Sequence, residues 1–541
     1  MRRTSFCIAV LLIVLAACRS NNNRSHQGQT RLVPRNHAIN SSNAYNSLFI
    51  DSQAVEQYIR KQQTDEEMAY RIRNFYNRRN YEFAWMDKDG LTEQALGFHS
   101  LYHFQRDTGK LNKSLETRID DLMSEDSPRV AAHDPGMIKT ELQLTEKFLR
   151  YGEAQAQQWP DSAELWLPAQ KMTARQLAGT FLTDNKTETD NAGFKGLTKA
   201  LKQYLEIASK GGWPVVPEGK YKKGMHSPAI ALLRKRLQVT GELEAKDTAS
   251  AVFDDALEAA VKNFQAHHGH TADGLVTPSL VKEMNVPVQN RIQQLLVNLQ
   301  RVRWMPAAVP GKLILVNIPE FMLHVWEDDR KAFDMPVIVG KEGHNTTMFY
   351  GDLNEIVFSP YWNLPPGIIR REVLPAMEKN KNYLEENQME ITGERNGLPV
   401  IRQLPGEKNA LGKVKFLFPN SFNIYFHDTP AKDLFNRDKR AYSHGCIRLS
   451  DPVKLAQYLL QDRPGWDSAH IDSAMNAGKE KYVELKQKVP VIITYLTAWV
   501  DETGALQLRE DIYGHDDKLA AKLLLDPVLH RTEDSTELAK E

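Results

Sequence analysis

The sequence predicts a multidomain α+β protein: a helical scaffold, a small three-helix module, and a β-rich domain carrying a helical capping insertion. Three observations predict it. Apolar residues recur at three- and four-residue spacing between about residues 46 and 210. GGWPVVPEGKYKKG at 211–224 then breaks that pattern with Gly and Pro, before two more helical segments. From Lys312 the texture changes to β-branched and aromatic runs. With 541 residues, 41% hydrophobic and 9% aromatic, the chain can build several cores. Its 69 basic residues balance 69 acidic ones, so no net field favours nucleic acid, and none is expected as a partner.

The chain opens MRRTSFCIAVLLIVLAACRS. Arg2 and Arg3 precede an apolar run from Phe6 to Ala17, the layout of a secretory signal and too short to span a bilayer as a mature helix. Leu15-Ala16-Ala17-Cys18 resembles the lipobox of bacterial lipoproteins, which implies cleavage before Cys18, a lipid on that cysteine, and an exported protein anchored in the cell envelope facing the periplasm. Residues 1–18 are therefore expected to be a lipoprotein signal peptide, and 19–45, rich in Asn, Ser, Gln and Arg, a flexible tether. Of the three cysteines, Cys7 falls in the signal and Cys18 takes the lipid. Cys446 remains, a thiol with no internal disulfide partner.

Residues 46–210 read as a helical scaffold through EEMAYRIRNFYNRRNYEFAW, GMIKTELQLTEKFLRYGEAQ and GFKGLTKALKQYLEIASK. Residues 211–286 form the small module: Ser227 and Asp254 can cap helices, and Ile230, Leu233 and Leu237, then Leu257, Val261 and Phe264, lie on single faces. Its LLRKRL, FDDALEAAVKNFQ, HGHTADG and TPSL elements resemble the peptidoglycan-binding domain of bacterial wall enzymes. His267, His268 and His270 have no Cys or carboxylate partner at a zinc-like spacing, so they are read as a solvated helix end. A connecting helix occupies 287–311.

The β-rich domain spans 312–500, with KLILVNIPEFMLHVWEDD, FDMPVIVG, DLNEIVFSPYW and PVIITYLTAWVD as strand-like runs. An insertion at about 365–420, helical in IIRREVLPAMEKNKNYLEEN and punctuated in RQLPGEKNALGKVKF, is placed as a lid over the following segment. Residues 501–541 are a C-terminal extension.

The following segment holds the chemistry. SHGCIR contains Cys446, and His427 precedes it in IYFHDTP. A thiol attacks as thiolate and needs a base or a positive environment, which a Cys-His pair supplies. His427, on a strand-like stretch, is the preferred base; His444 can reach Cys446 only if the chain bends at Gly445, and is the runner-up. Gly445 and Cys446 can offer backbone N–H groups to an oxyanion. Arg448 can hold a carboxylate, and Tyr425 and Ser443 can donate hydrogen bonds. The competing reading of Cys446 is a small buried hydrophobe, which its polar neighbours disfavour. No HExxH or paired Cys/His spacing appears, so neither metal nor cofactor is expected.

His427 with Ser443-His444-Gly445-Cys446-Ile447-Arg448-Leu449 resembles the signature of the L,D-transpeptidase (YkuD-type) catalytic domain. NIPEFMLHV, VIVGK, SPYWNLPPGI, FLFPNSFNIYFHDTP, TAWVDETG and DIYGHD look like the large branch of that family, with a scaffold, a peptidoglycan-binding module and a capping subdomain. The resemblance spans about residues 45–520. It implies that Cys446 is the nucleophile, His427 the general base and acid, and the backbone carbonyl of Asp428 the third member. It further implies a monomeric enzyme acting on peptidoglycan stem peptides, whose cysteinyl thioester passes from a tetrapeptide donor to a neighbouring amine to make a 3,3 cross-link, with release of D-Ala.

Three rivals stay open on sequence. Water instead of an amine would make an L,D-carboxypeptidase or a cross-link-cleaving amidase. A papain-like or NlpC/P60-type hydrolase would place Cys before His, the reverse of the order here. A wall-binding lipoprotein without chemistry would have no use for the intact Cys446, His427, Gly445 and Arg448.

Overall fold

The computed structural model describes residues 32–104, 113–123, 130–154, 166–184, 191–244 and 250–528. The expected signal peptide with Cys18, and the tether as far as residue 31, lie outside them. Within the described part the tether ends earlier than expected: Ile39, Ala44 and Tyr45 are buried, and Ala44 pairs with Gln170. Three apolar side chains close together were enough to dock this stretch.

Helices α1 (Ser52–Gln62), α2 (Glu66–Arg78), α3 (Glu93–Phe104), α4 (Lys113–Met123) and α5 (Pro135–Ala154) surround one core, with the short hairpin β1 (Met86–Asp87) and β2 (Gly90–Leu91) between α2 and α3. Asp51 and Asp65 cap α1 and α2 by accepting backbone N–H groups of the first turn. Trp85, Phe98 and Phe148 lie at the core centre. α6 (Ala174–Leu182) and α7 (Ala192–Ser209) belong to a second core.

The module is α8 (Pro228–Thr240), α9 (Asp255–His267) and α10 (Pro278–Met284), with its own apolar core. The end of α9 is not a free solvated end, as the sequence suggested. His268 stacks on Phe264 at 3.7 Å and its Nδ1 donates to the Phe264 carbonyl at 2.8 Å. The Arg509 guanidinium donates to the His267 carbonyl at 2.9 Å, and Thr271 donates to Asp438 at 2.7 Å. This end docks on the β-rich domain.

Connecting helix α11 (Val288–Val302) is buried along nearly its whole length, so its polar side chains need partners. Gln294 donates to the carbonyls of Thr497 (3.0 Å) and Arg509 (2.9 Å). Arg301 bridges Glu93 of α3 at 2.9 Å and Asp516 at 2.5 Å. Removing one partner from such a buried pair costs about 3–5 kcal/mol, so α11 is the pin between scaffold and β-rich domain.

The β-rich domain is a closed sheet. Its strands are β3 (Lys312–Asn317), β4 (Met322–Glu327), β5 (Arg330–Gly340), β6 (Phe349–Phe358), β10 (Val414–Leu417), β11 (Phe426–His427), β12 (Ala441–Ser443), β13 (Ile447–Leu449) and β14 (Lys481–Thr494), separated by β7 (Trp362–Asn363), β8 (Met389–Arg395) and β9 (Leu398–Gln403) of the insertion. The order is β12-β5-β13-β11-β10-β6-β14-β3-β4, and an extra β4–β5 pairing closes the ring. Helices Pro452–Leu460 and Ser468–Met475 complete its core.

Two details refine the sequence reading. The insertion is not helical alone: β7, β9 and β8 form a separate sheet, and its small core gathers Leu364, Ile369, Val373 and Ile401. It also ends before Val414, because β10 pairs with β6 and β11 in the main sheet. At the other end, β15 (Ala498–Val500) pairs with β16 (Leu506–Leu508) across residue 500, and both pack with the scaffold's second core.

Candidate active site

Strand register builds the site. β11 and β13 run parallel, with Phe426 opposite Ile447 and His427 opposite Arg448. The pairing continues one step back, where the Ile447 N–H donates to the Tyr425 carbonyl at 3.2 Å. Successive strand side chains alternate in direction. Phe426, Ile447 and Leu449 enter the barrel core, so Tyr425, His427, Cys446 and Arg448 share the other face.

The His427 Nδ1 lies 2.5 Å from the Asp428 carbonyl oxygen. As donor there, the ring keeps Nε2 as its basic nitrogen. Burial, reinforced by the Arg448 guanidinium, pushes this imidazole down to about 3. The Asp428 carboxylate turns elsewhere, accepting the Lys413 N–H at 2.9 Å and pairing with Lys432 at 2.7 Å.

Cys446 is half-buried, and its thiol reaches the Asn423 carbonyl at 3.6 Å. Burial pushes the thiol up to about 11, while hydrogen bonds from Tyr425 and the charge of Arg448 pull the other way. Burial also lifts the Tyr425 hydroxyl well above its ordinary range. Burial thus disfavours the charged form of each group, imidazolium at His427 and thiolate at Cys446.

The loop before Cys446 is tied internally. Gly445 has φ +111°, a conformation that favours glycine; a Cβ there would find ordinary contact distances, so the backbone angle and not crowding calls for this residue. Its N–H donates to the Ser443 hydroxyl at 3.1 Å, and that hydroxyl donates to the Cys446 carbonyl at 2.5 Å. The Gly445 N–H is thus engaged within the loop, and Ser443 is buried with its hydroxyl bonded inside the same loop.

His444 is exposed and pairs with Glu372 of the insertion at 3.0 Å, its ring 5.0 Å from that of His344. It joins the loop to the cap. Arg448 is half-buried, its charge is disfavoured by that burial, and its buried Nε has no hydrogen-bond partner.

Sequence reasoning missed the support beneath the loop. The Thr346 hydroxyl donates to the Gly445 carbonyl at 2.7 Å and accepts the Gly340 N–H at 2.9 Å. The Tyr513 hydroxyl donates to the Gly340 carbonyl at 2.5 Å. A side chain at Gly340 would collide with the His344 carbonyl, which marks how tightly this turn folds. VIVGK and DIYGHD carry the signal, but only the fold joins them.

Family comparisons agree with this layout. Residues 311–493 match an L,D-transpeptidase catalytic domain, 70–209 a scaffold domain and 226–284 a peptidoglycan binding domain. A Haemophilus influenzae protein described as "Putative L,D-transpeptidase" is 35% identical over 243 residues, 42% of this chain and 49% of that protein; the chain spans about half the length of the curated relative it matches. Among solved structures, an L,D-transpeptidase from Mycobacterium smegmatis overlaps at TM-score 0.19 and 16% identity, covering 35% of this chain and 59% of that one. One from Xylanimonas cellulosilytica overlaps at TM-score 0.16 and 15% identity, covering 52% and 100%. The chain therefore carries a YkuD-type L,D-transpeptidase catalytic domain, joined to a scaffold domain and a peptidoglycan-binding domain.

Proposed function

We propose that this chain is a peptidoglycan L,D-transpeptidase that makes 3,3 cross-links between stem peptides, with Cys446 as nucleophile and His427 as general base and acid. The observation that supports the reading is the strand register of β11 and β13, which sets Tyr425, His427, Cys446 and Arg448 on the face opposite the barrel core.

As substrate binds, His427 takes the thiol proton and the Cys446 sulfur attacks the carbonyl on the L-centre of the third stem residue, a diamino acid. The tetrahedral intermediate collapses, the C–N bond to terminal D-Ala breaks, and His427 returns the proton to the leaving amine. A neighbouring stem's side-chain amine then gives its proton to His427 and attacks the thioester; the C–S bond breaks and the thiol regains its proton. The Asp428 carbonyl keeps the His427 ring oriented throughout. With the Gly445 N–H engaged, the Cys446 N–H and the Tyr425 hydroxyl serve the oxyanion. Arg448, with an unpartnered buried nitrogen, takes the substrate carboxylate. The cap limits water, which favours transfer to an amine over hydrolysis.

Residues 46–210 act as scaffold, 211–286 as the wall-binding module and 312–500 as the catalytic domain. Cys18 carries the lipid that holds the protein in the envelope. Among the described residues no helix is long and apolar enough to cross a membrane.

The test is product analysis after incubating the enzyme with purified tetrapeptide muropeptide. Cross-linked dimers with released D-Ala, abolished in Cys446→Ala, are expected. Tripeptide without dimer would replace transfer by hydrolysis.

A further inference from the structure

A second cluster of ligating side chains lies in the scaffold, outside the site described above. His99 and His103 are one helical turn apart on α3 and project from the same face. Both Nε2 atoms lie 2.9 Å from one oxygen, Oε2 of Glu116 on α4. The two rings are 4.2 Å apart. The other carboxylate oxygen, Oε1, accepts a hydrogen bond from Lys147 of α5 at 2.9 Å. All three side chains are 13–19% exposed, shielded but within reach of solvent.

We propose that His99, His103 and Glu116 bind a single divalent transition ion of the zinc class. Two imidazole nitrogens and one carboxylate oxygen are a recurrent donor set for such ions and leave a fourth position open. Among the described residues this is the group whose ligand atoms all fall within 4.8 Å of one another. A tetrahedral ion with bonds of about 2.0–2.1 Å separates its ligand atoms by about 3.3 Å, so the 2.9 Å contacts need to open by only a few tenths of an ångström.

The surroundings fit the role. Lys147 orients the carboxylate from its far oxygen, as a supporting residue does in built metal sites. His103 also stacks on Tyr350 of β6 at 5.6 Å and 24°. The ion would thus clamp α3 to α4 at the seam between scaffold and catalytic barrel, a place distinct from the thiol chemistry and independent of how that chemistry is read.

The competing account is a carboxylate accepting two neutral imidazole N–H groups, a complete hydrogen-bond arrangement with no ion. Zinc chloride titration of the full chain carrying Cys446→Ser, which removes the thiol as a ligand, separates the two. One ion per chain is expected, and cobalt chloride should give the visible absorption of a low-symmetry site. In His99→Gln/His103→Gln, both amides can still donate to Glu116, so the fold is kept while the lone pairs are lost. Its affinity should fall by at least the about 10–100-fold that removal of supporting residues causes. Glu116→Gln provides a second variant, and melting temperature checks folding: zinc should raise it in the parent and in neither variant. No stoichiometric binding in the parent, or equal affinity in the variants, as His267 and His270 binding the ion would give, overturns the site.

Discussion

The His427 ring is oriented by the main chain of Asp428 and not by that residue's carboxylate: Nδ1 meets the carbonyl at 2.5 Å while the carboxylate is taken by Lys413 and Lys432. Asp428→Asn should therefore keep turnover within a few-fold, because its backbone is unchanged, while lowering stability by about 1 kcal/mol through a weakened Lys432 contact. His427→Gln should lower turnover by about 10²–10⁴, the usual worth of a positioned acid or base. Steady-state D-Ala release beside thermal melting separates the two.

A thiol whose charged form burial disfavours has a signature in pH. With the thiol pushed up to about 11 by burial, alkylation of Cys446 by iodoacetamide should climb steadily from pH 7 to 10 instead of levelling near neutrality. A plateau below pH 7, measured by mass spectrometry of timed samples, would mean a thiolate already paired with imidazolium.

His444 faces the cap and not the thiol. His444→Ala should cost little stability, since an exposed pair such as His444–Glu372 is worth about 0–1 kcal/mol, and should leave acylation by a carbapenem largely intact. Loss of acylation in His444→Ala with retention in His427→Ala would transfer the role of base to His444.

The loop's support predicts an effect at a distance. Thr346→Val keeps the shape but leaves the buried Gly445 carbonyl without its donor, a loss of about 1–3 kcal/mol. Acylation should slow together with stability, and Tyr513→Phe should shift both in the same direction by less. Unchanged acylation in both would detach this network from the site.

His324 lies between Asp334 at 2.8 Å and Glu320 at 3.1 Å. Burial alone would push the imidazole down, but the two carboxylates together raise it to about 9. A raised folded value means that the stabilisation is fully present below pH 6.5 and is lost as pH rises toward 9. Melting temperature should fall over that interval, and His324→Gln should flatten the fall while lowering stability at pH 6.

Much of the site was legible because its signal is local. His427 lies on β11 and SHGCIR spans the turn from β12 into β13, and residue chemistry alone brought this thiol and this histidine forward as candidates. The Asp428 carbonyl rested on the family resemblance, since nothing in a sequence tells a carbonyl's direction. The bond between Ser443 and the Gly445 N–H could not be read from sequence, because a hydroxyl two residues before an amide can face outward or fold back, and the turn decides. Thr346 and Tyr513 were invisible because their link to Gly445 crosses three separate segments. In the fold, helix periodicity marked the scaffold well. β8 was hidden because MEITGER is mostly exposed, which leaves no alternation to read.

The prop under Gly445 ends in Tyr513, and Arg301 of the connecting helix finds Asp516 in the same late stretch. Both residues leave the ribosome well after Cys446. A chain interrupted before them has its thiol and its histidine yet lacks the last brace of the loop that holds them, so synthesis itself sets the order: the loop is braced only after residues 513–516 have been made.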